Sequence, residues 1–69
     1  MDRPLEDMTE QVYDFIADYI AEHGFPPSTR EMAAAVYISR GAVARHLDRL
    51  EIAGRIARTP GRARGIRLC

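Results

Sequence analysis

The chain of 69 residues contains no lysine and no tryptophan, and Cys69 is its only cysteine. A single cysteine excludes an internal disulfide and a cluster of thiolate metal ligands. The longest apolar run, residues 32–38, is far shorter than the roughly 20 residues that a membrane-spanning helix needs. The acidic N-terminus also lacks the basic and apolar regions of a signal peptide. We therefore expect one small cytoplasmic domain without a membrane contact.

The sequence also lacks a recognisable set of catalytic or metal-binding residues. His23 and His46 are far apart, and no cysteine or carboxylate stands at metal-ligand spacing from either. Ser28 and Ser39 each precede a helical pattern, so we interpret them as N-caps rather than nucleophiles. We expect no enzymatic activity, no metal and no cofactor.

The formal net charge of zero conceals two halves of opposite charge. Residues 1–31 hold two arginines and eight acidic residues, a net charge of −6, whereas residues 32–69 hold eight arginines and two acidic residues, a net charge of +6. A polyanion would be attracted to the second half and repelled by the first. Because every basic residue is arginine, the chain offers planar guanidinium groups suited to phosphate or guanine.

The hydrophobic pattern predicts a first helix over about residues 8–23, preceded by a frayed arm. Asp7 and Glu10 have the spacing of a capping box. Apolar side chains then recur at helical period, namely Val12, Phe15, Ile16, Tyr19 and Ile20. Gly24 is expected to end this helix.

Two further helices are predicted, joined by a tight turn. Ser28 and Glu31 form a capping box for a helix over residues 29–36. Ser39 is the N-cap of a helix over residues 40–53, with Gly54 just beyond its C-terminal end. The buried stripe of this third helix consists of Val43, Leu47 and Leu50. Tyr37 and Ile38 occupy the turn, and we expect both to pack beneath it.

The outward face of the third helix combines small residues with arginines, namely Arg40, Gly41, Ala42, Ala44, Arg45 and Arg49. A helix that enters the major groove must bring its backbone close to the base edges, with a few longer donors reaching further. The alternative is that the small residues merely favour the helix and the arginines are a solvated surface. Gly41 weakens this alternative, because an interior glycine costs about 1 kcal/mol relative to alanine.

Beyond Gly54 the pattern changes to the near-alternation typical of a β-hairpin, with strands over about residues 55–59 and 64–68. Pro60-Gly61 lies in the turn, and the inward side chains are expected to be Ile56, Ile66 and Leu68. Arg58, Arg62 and Arg64 would then hang from the hairpin within reach of a phosphate backbone. Their alternative role is to keep an edge strand soluble. The predicted fold is α+β and mainly α: a winged helix-turn-helix of three helices followed by a two-stranded β-hairpin wing.

Several segments resemble the N-terminal DNA-binding domain of the LexA repressor family over about residues 5–68. They are the run Gly24-Phe-Pro-Pro-Ser-Thr-Arg-Glu31, the stretch Val43 to Leu50 with Glu51 and Gly54, and the final Arg64-Gly-Ile-Arg-Leu68. The resemblance implies a winged helix-turn-helix that binds operator DNA and represses transcription, in that family as part of the DNA-damage (SOS) response. Its partner is double-stranded DNA with a palindromic operator.

By position, the family's base-reading residues fall on Ser39, Gly41, Ala42, Ala44 and Arg45, and its wing contacts on Arg62 and Arg64. Gly41 and Ala44 depart from the polar residues common there, which puts the operator sequence in doubt. With the residue pattern added, the predicted base-reading set is Ser39, Arg40, Gly41, Ala42, Ala44 and Arg45. The predicted backbone contacts are Ser28, Thr29, Arg49, Arg58, Arg62 and Arg64.

LexA repressors continue into a self-cleaving, dimerising domain with a Ser–Lys pair, whereas this chain has no lysine. We therefore expect no autoproteolysis from the chain as given, which would be an excised domain or a stand-alone relative. It should be a monomer in isolation that pairs on DNA or through a missing C-terminal dimerisation domain. The rival function is a winged-helix protein-interaction module, which an exposed apolar patch would favour.

Overall fold

The computed structural model describes residues 5–62 and 64–69 and has three helices followed by a two-stranded sheet. The elements are α1 (Leu5–His23), α2 (Thr29–Val36), α3 (Arg40–Ile52), β1 (Ile56–Arg58) and β2 (Ile66–Leu68). The strands pair antiparallel. This order confirms the predicted fold class, a mainly helical winged helix-turn-helix.

The start of α1 differs from the prediction, because the helix begins at Leu5 rather than near residue 8. Asp7 therefore lies inside the helix and is not its N-cap. The error has a physical reason, since acidic residues favour the whole first turn through the helix dipole, so Asp7 and Glu10 indicate the neighbourhood of a start rather than its position. Of the predicted frayed arm, residues 1–4 lie outside the described residues.

The other helix ends follow the predicted caps, although α3 ends at Ile52, one residue before its predicted end. The Ser28 hydroxyl accepts from the Glu31 amide at 3.2 Å, and the Glu31 carboxylate accepts from the Ser28 amide at 2.8 Å. The Ser39 hydroxyl accepts from the Ala42 amide at 3.0 Å. Gly54 has a φ of +76°, and the amides of Gly54 and Arg55 return to carbonyls of the last turn of α3. These bonds form a Schellman motif, which pairs the carbonyls of Leu50 and Glu51 at the end of α3.

The turn between α2 and α3 corrects one expectation. Ile38 packs against the core as predicted, but the side chain of Tyr37 is 93% exposed. Tyr37 adopts the left-handed conformation, with φ 58° and ψ 44°, and its amide donates to the Ala33 carbonyl. The reversal that ends α2 turns this side chain away from the core, which periodicity alone does not reveal.

The core lies where the three helices meet the base of the wing. α1 and α2 both pack on α3, and α3 packs on β1. The buried apolar residues are Val12, Ile16, Met32, Val43, Leu47, Leu50 and Ile56. Ile66 and Leu68 are half-buried against them, so the three predicted inward side chains of the hairpin do face the core. This contact holds the wing to the helices, because two strands alone are only marginally stable.

The hairpin strands are shorter than predicted and cover three residues each, with Ile56 opposite Leu68 and Arg58 opposite Ile66. The Thr59 amide still donates to the Gly65 carbonyl, at 2.6 Å. The ladder ends there because Pro60 has no amide to donate and Gly61, at φ +79°, turns the chain.

Candidate nucleic-acid interface

The predicted base-reading residues lie together at the N-terminal half of α3. Ser39, Arg40, Gly41, Ala44 and Arg45 are exposed, and Ala42 is half-buried. A Cβ built on Gly41 would meet only the Ser39 hydroxyl, at 3.9 Å, so no packing contact requires glycine there. The result is a low, exposed surface with an arginine on each side, which we call the α3 face.

Beside the α3 face, α3 contacts α1 through His46, which is only 8% exposed. Its Nδ1 lies 2.8 Å from the Thr9 hydroxyl oxygen. Burial, followed by the positive charges of Arg49 and Arg45, lowers the pKa of His46. The lowered pKa favours the neutral imidazole, and the contact with Thr9 joins α3 to α1.

A groove between α3 and the wing brings together several of the predicted backbone contacts. Thr29, at the start of α2, lines it with Arg58 and Arg62, and Leu47 and Ile66 form part of its floor. The N-terminus of α2 and the wing therefore border one concave surface next to α3. Such a surface can accept a phosphate strand, since a helix N-terminus and guanidinium groups both favour anions.

Arg58 lies in this groove but is bound within the molecule. Its guanidinium forms ion pairs with Asp48 and with Glu51 on α3, the latter at 2.8 Å. The hydrogen bonds that Arg58 donates, first to Glu51 and then to Asp48, raise the pKa of Arg58. Any phosphate contact by Arg58 would have to share the guanidinium with two carboxylates.

Arg64 is bound in a similar way at the base of the wing. Its guanidinium donates to both carboxylate oxygens of Glu31, at 2.8 and 3.2 Å, and to the Pro26 carbonyl at 2.9 Å. The Cζ atom also lies 5.1 Å from the centre of the Phe25 ring. The hydrogen bonds to Glu31 raise the pKa of Arg64. The predicted wing residue Arg64 is therefore tied to α2 and to the connection before it.

The four remaining arginines of the predicted interface are exposed, namely Arg40, Arg45, Arg49 and Arg62. Among the side chains that the structure describes, no ion pair engages any of them. Three of them project from α3 and the fourth from the wing. Their charge is available to an anionic partner without breaking an internal ion pair between described residues.

Three large apolar side chains of the described residues are exposed, namely Phe25 at 45%, Tyr37 at 93% and Ile52 at 87%. They lie in three different segments of the chain: the connection before α2, the turn before α3 and the last residue of α3.

Metal-binding and membrane-spanning features are both missing from residues 5–62 and 64–69. This part of the chain contains no group of three or more metal-ligating side chains. None of the helices described here combines the length and the apolar character needed to cross a bilayer.

Comparison with known proteins agrees with this geometry. The family described as LexA DNA binding domain matches residues 2–65. Among curated relatives, the LexA repressor of Clostridium acetobutylicum is 40% identical over 68 residues, which are 97% of this chain and 33% of that protein. The LexA repressor of Pseudothermotoga lettingae is 42% identical over 69 residues, which are 99% of this chain and 34% of that protein. The chain thus spans about a third of the length of these relatives. It belongs to the LexA DNA-binding domain family.

Proposed function

We propose that residues 1–69 form one DNA-binding domain that recognises an operator in double-stranded DNA, with the N-terminal half of α3 in the major groove. The observation that carries this proposal is the α3 face. It is low enough for close approach to base edges, and the arginines on it are not neutralised by described neighbours. These are the properties that groove entry and base reading require.

The residues proposed to face the bases are Ser39, Arg40, Gly41, Ala42, Ala44 and Arg45. Arg45 is the strongest candidate for sequence reading, because a guanidinium can donate two hydrogen bonds to O6 and N7 of guanine. Ala42 and Ala44 can contact a thymine methyl group. Ser39 uses its hydroxyl oxygen to cap α3, but the hydroxyl proton remains free to be donated to DNA.

The residues proposed to contact the DNA backbone are Ser28, Thr29, Arg49, Arg58 and Arg62, whereas Arg64, which the sequence also predicted as a backbone contact, is bound to Glu31 and Pro26. They differ in availability. Arg62 is exposed on the wing, whereas Arg58 and Arg64 already bind carboxylates of α3 and α2. Ser28 and Thr29 mark the N-terminus of α2, where amide groups and the helix dipole favour a phosphate. Arg62 is therefore the backbone contact whose removal is expected to have the clearest effect.

By family, we propose that this binding represses transcription in a DNA-damage response. The relatives are named LexA repressors, and a repressor of this kind acts by occupying DNA rather than by catalysis, in the cytoplasm on the nucleoid. A palindromic operator would hold two copies on half-sites one or more helical turns apart. A lone domain would bind one half-site weakly and gain affinity when two copies pair on DNA.

The first test is selection from a random duplex library, followed by fluorescence anisotropy with the selected site and a scrambled duplex of equal length. A reproducible selected motif with stronger binding than the scrambled duplex is the expected result. Arg45→Ala should lose roughly 1–3 kcal/mol on the selected site and relax the preference at one base pair. Equal binding of both duplexes at every salt concentration would reduce the function to nonspecific electrostatics.

The wing is tested by the dependence of affinity on salt. Arg62→Ala should weaken selected and scrambled duplexes by the same factor and flatten the log–log salt slope by about one unit. Arg67→Ala is the matched control, since Arg67 is exposed on β2 and is not among the proposed contacts. A salt slope that is unchanged by Arg62→Ala would contradict the wing contact.

A further inference from the structure

We propose that Glu31 and Arg64 form a clamp that positions the wing relative to α3 for DNA binding, so that Arg64 acts as a positioning residue. This inference rests on the proposed DNA-binding function. It gives the charge of Glu31 a role in the geometry of the interface, although Glu31 itself would repel a phosphate. The clamp joins the last segment of the hairpin to the first turn of α2.

The contacts of Arg64 are more complete than those of an ordinary surface ion pair. Two nitrogens of the guanidinium face the two oxygens of Glu31, the arrangement that gives arginine–carboxylate pairs their directional strength. A further bond to the Pro26 carbonyl and the nearby Phe25 ring fix the plane of the guanidinium. Arg64 thus joins the wing to three groups: the Glu31 carboxylate, the Pro26 carbonyl and the Phe25 ring.

Glu31 is itself held in place by its neighbours. One carboxylate oxygen accepts from the Ser28 amide, and the other accepts from the Tyr19 hydroxyl at 3.2 Å. The same carboxylate therefore caps α2, contacts α1 and binds the wing. Two of its contacts are therefore independent of the wing, as an anchoring point requires.

The wing needs such an anchor because its own ladder is short. Each strand covers three residues, and a two-stranded hairpin is marginal by itself. Arg62 lies only two residues before Arg64, so a shift at Arg64 would move the side chain proposed to contact phosphate. The clamp therefore acts on DNA through Arg62.

Removal of the Glu31 charge distinguishes the clamp from a simple charge effect, because the two predict opposite changes in DNA affinity. Glu31→Gln retains the size of the side chain and the capping box, which accepts glutamine, but removes the ion pair with Arg64. If Glu31 had no role in positioning, removing a negative charge would leave DNA affinity unchanged or raise it. We expect the affinity to fall instead, by about three- to tenfold, as the loss of one oriented contact would give. Glu22→Gln is the matched control, because it removes one negative charge from an exposed position on α1. The DNA affinity of the Glu22→Gln variant should not fall.

A double-mutant cycle between Glu31→Gln and Arg62→Ala separates the clamp from a direct effect of the Glu31 charge on DNA. We expect Arg62→Ala to cost less affinity in the Glu31→Gln background, because the wing is already displaced. Independent effects of the two changes would overturn the proposal. So would an Arg64→Ala variant that flattens the salt slope by about one unit, since that result would make Arg64 a direct phosphate contact.

The free protein supplies a readout that does not depend on DNA. In Glu31→Gln, amide hydrogen exchange should quicken in β1 and β2 while the core of α3 stays protected. If exchange in the wing is unchanged, the clamp is refuted even when DNA binding is intact. The two proposals can also fail separately. If the wild-type protein shows no operator preference, but exchange in the wing is faster in Glu31→Gln than in the wild type, the proposed function fails and the structural role of the clamp remains.

Discussion

Tyr37 offers a direct test of how the turn between α2 and α3 is built. It is a non-glycine residue at φ 58° and ψ 44°, the left-handed conformation in which Cβ crowds the following carbonyl oxygen. Its ring gives little in return, since the side chain is 93% exposed. We expect Tyr37→Gly to stabilise the fold.

The magnitude follows from two opposing effects. Relief of the left-handed conformation is worth about 1–2 kcal/mol. Glycine also gives the unfolded chain more freedom, which costs about 0.4–1 kcal/mol. The free energy of unfolding should therefore rise by about 0.8 kcal/mol, the midpoint of a range of about 0–1.6 kcal/mol. At about 4–8 °C per kcal/mol for a domain of this size, the midpoint corresponds to a rise in Tm of roughly 3–6 °C.

Urea and thermal unfolding followed by circular dichroism would measure this change. Tyr37→Ala is the matched control, because alanine removes the ring but keeps Cβ and hence the strain. We expect no increase in stability for Tyr37→Ala. If alanine stabilises the protein as much as glycine does, the exposed ring and not the backbone conformation is the source of the cost, and the reasoning is refuted.

Two further predictions concern the glycines of the wing and of α3, and the response to acid. A Cβ on Gly65 would lie 2.6 Å from the Thr59 carbonyl oxygen, so Gly65→Ala should destabilise the fold by about 1–3 kcal/mol in urea unfolding. A Cβ on Gly41 meets no close neighbour, so Gly41→Ala should stabilise the fold by about 1 kcal/mol through the helix propensity of alanine. A stability change of the same sign in both variants would contradict the steric argument. The hydrogen bonds from Arg64, first, and then from the backbone lower the pKa of Glu31 from 4.5 to about 2. A lowered pKa contributes stability that is complete above about pH 4.5 and is lost as the pH falls towards 2, so the urea midpoint of the wild type should fall more steeply than that of Glu31→Gln in this range.

The elements that periodicity and caps define were predictable from the sequence. Ser28, Ser39 and Gly54 mark helix ends because their side chains or backbone freedom satisfy groups that a helix leaves unpaired. The apolar stripe of α3 predicts its exposed side in the same way, since burial of one stripe fixes the rotation of the helix. Local chemistry thus determined the frame on which the candidate interface stands.

The pairing of the wing arginines was not predictable by these means. Arg58 reaches Asp48 and Glu51, and Arg64 reaches Glu31, across 7 to 33 residues of sequence. Such partners depend on how the hairpin docks, which periodicity does not encode. The expectation that Tyr37 packs beneath the turn was wrong for a similar reason. Tyr37 adopts the left-handed conformation, which directs its side chain to solvent, and periodicity does not encode that conformation.

The internal pairing of Arg58 also bears on how α3 can approach a polyanion. Asp48 and Glu51 are the only acidic residues after Glu31, and both lie on the exposed surface of the C-terminal half of α3. Unpaired, they would repel phosphate beside the groove that the wing borders. Arg58 binds both, so one of their two negative charges is compensated locally, while no described ion pair engages Arg45 or Arg62. In the proposed complex the wing would have two electrostatic roles: Arg62 would attract the phosphates, and Arg58 would reduce the repulsion from the carboxylates of α3. A count of net charge would treat Arg58 and Arg62 as equivalent. Their surroundings differ, because Arg58 is ion-paired with two carboxylates and Arg62 is in no ion pair between described residues.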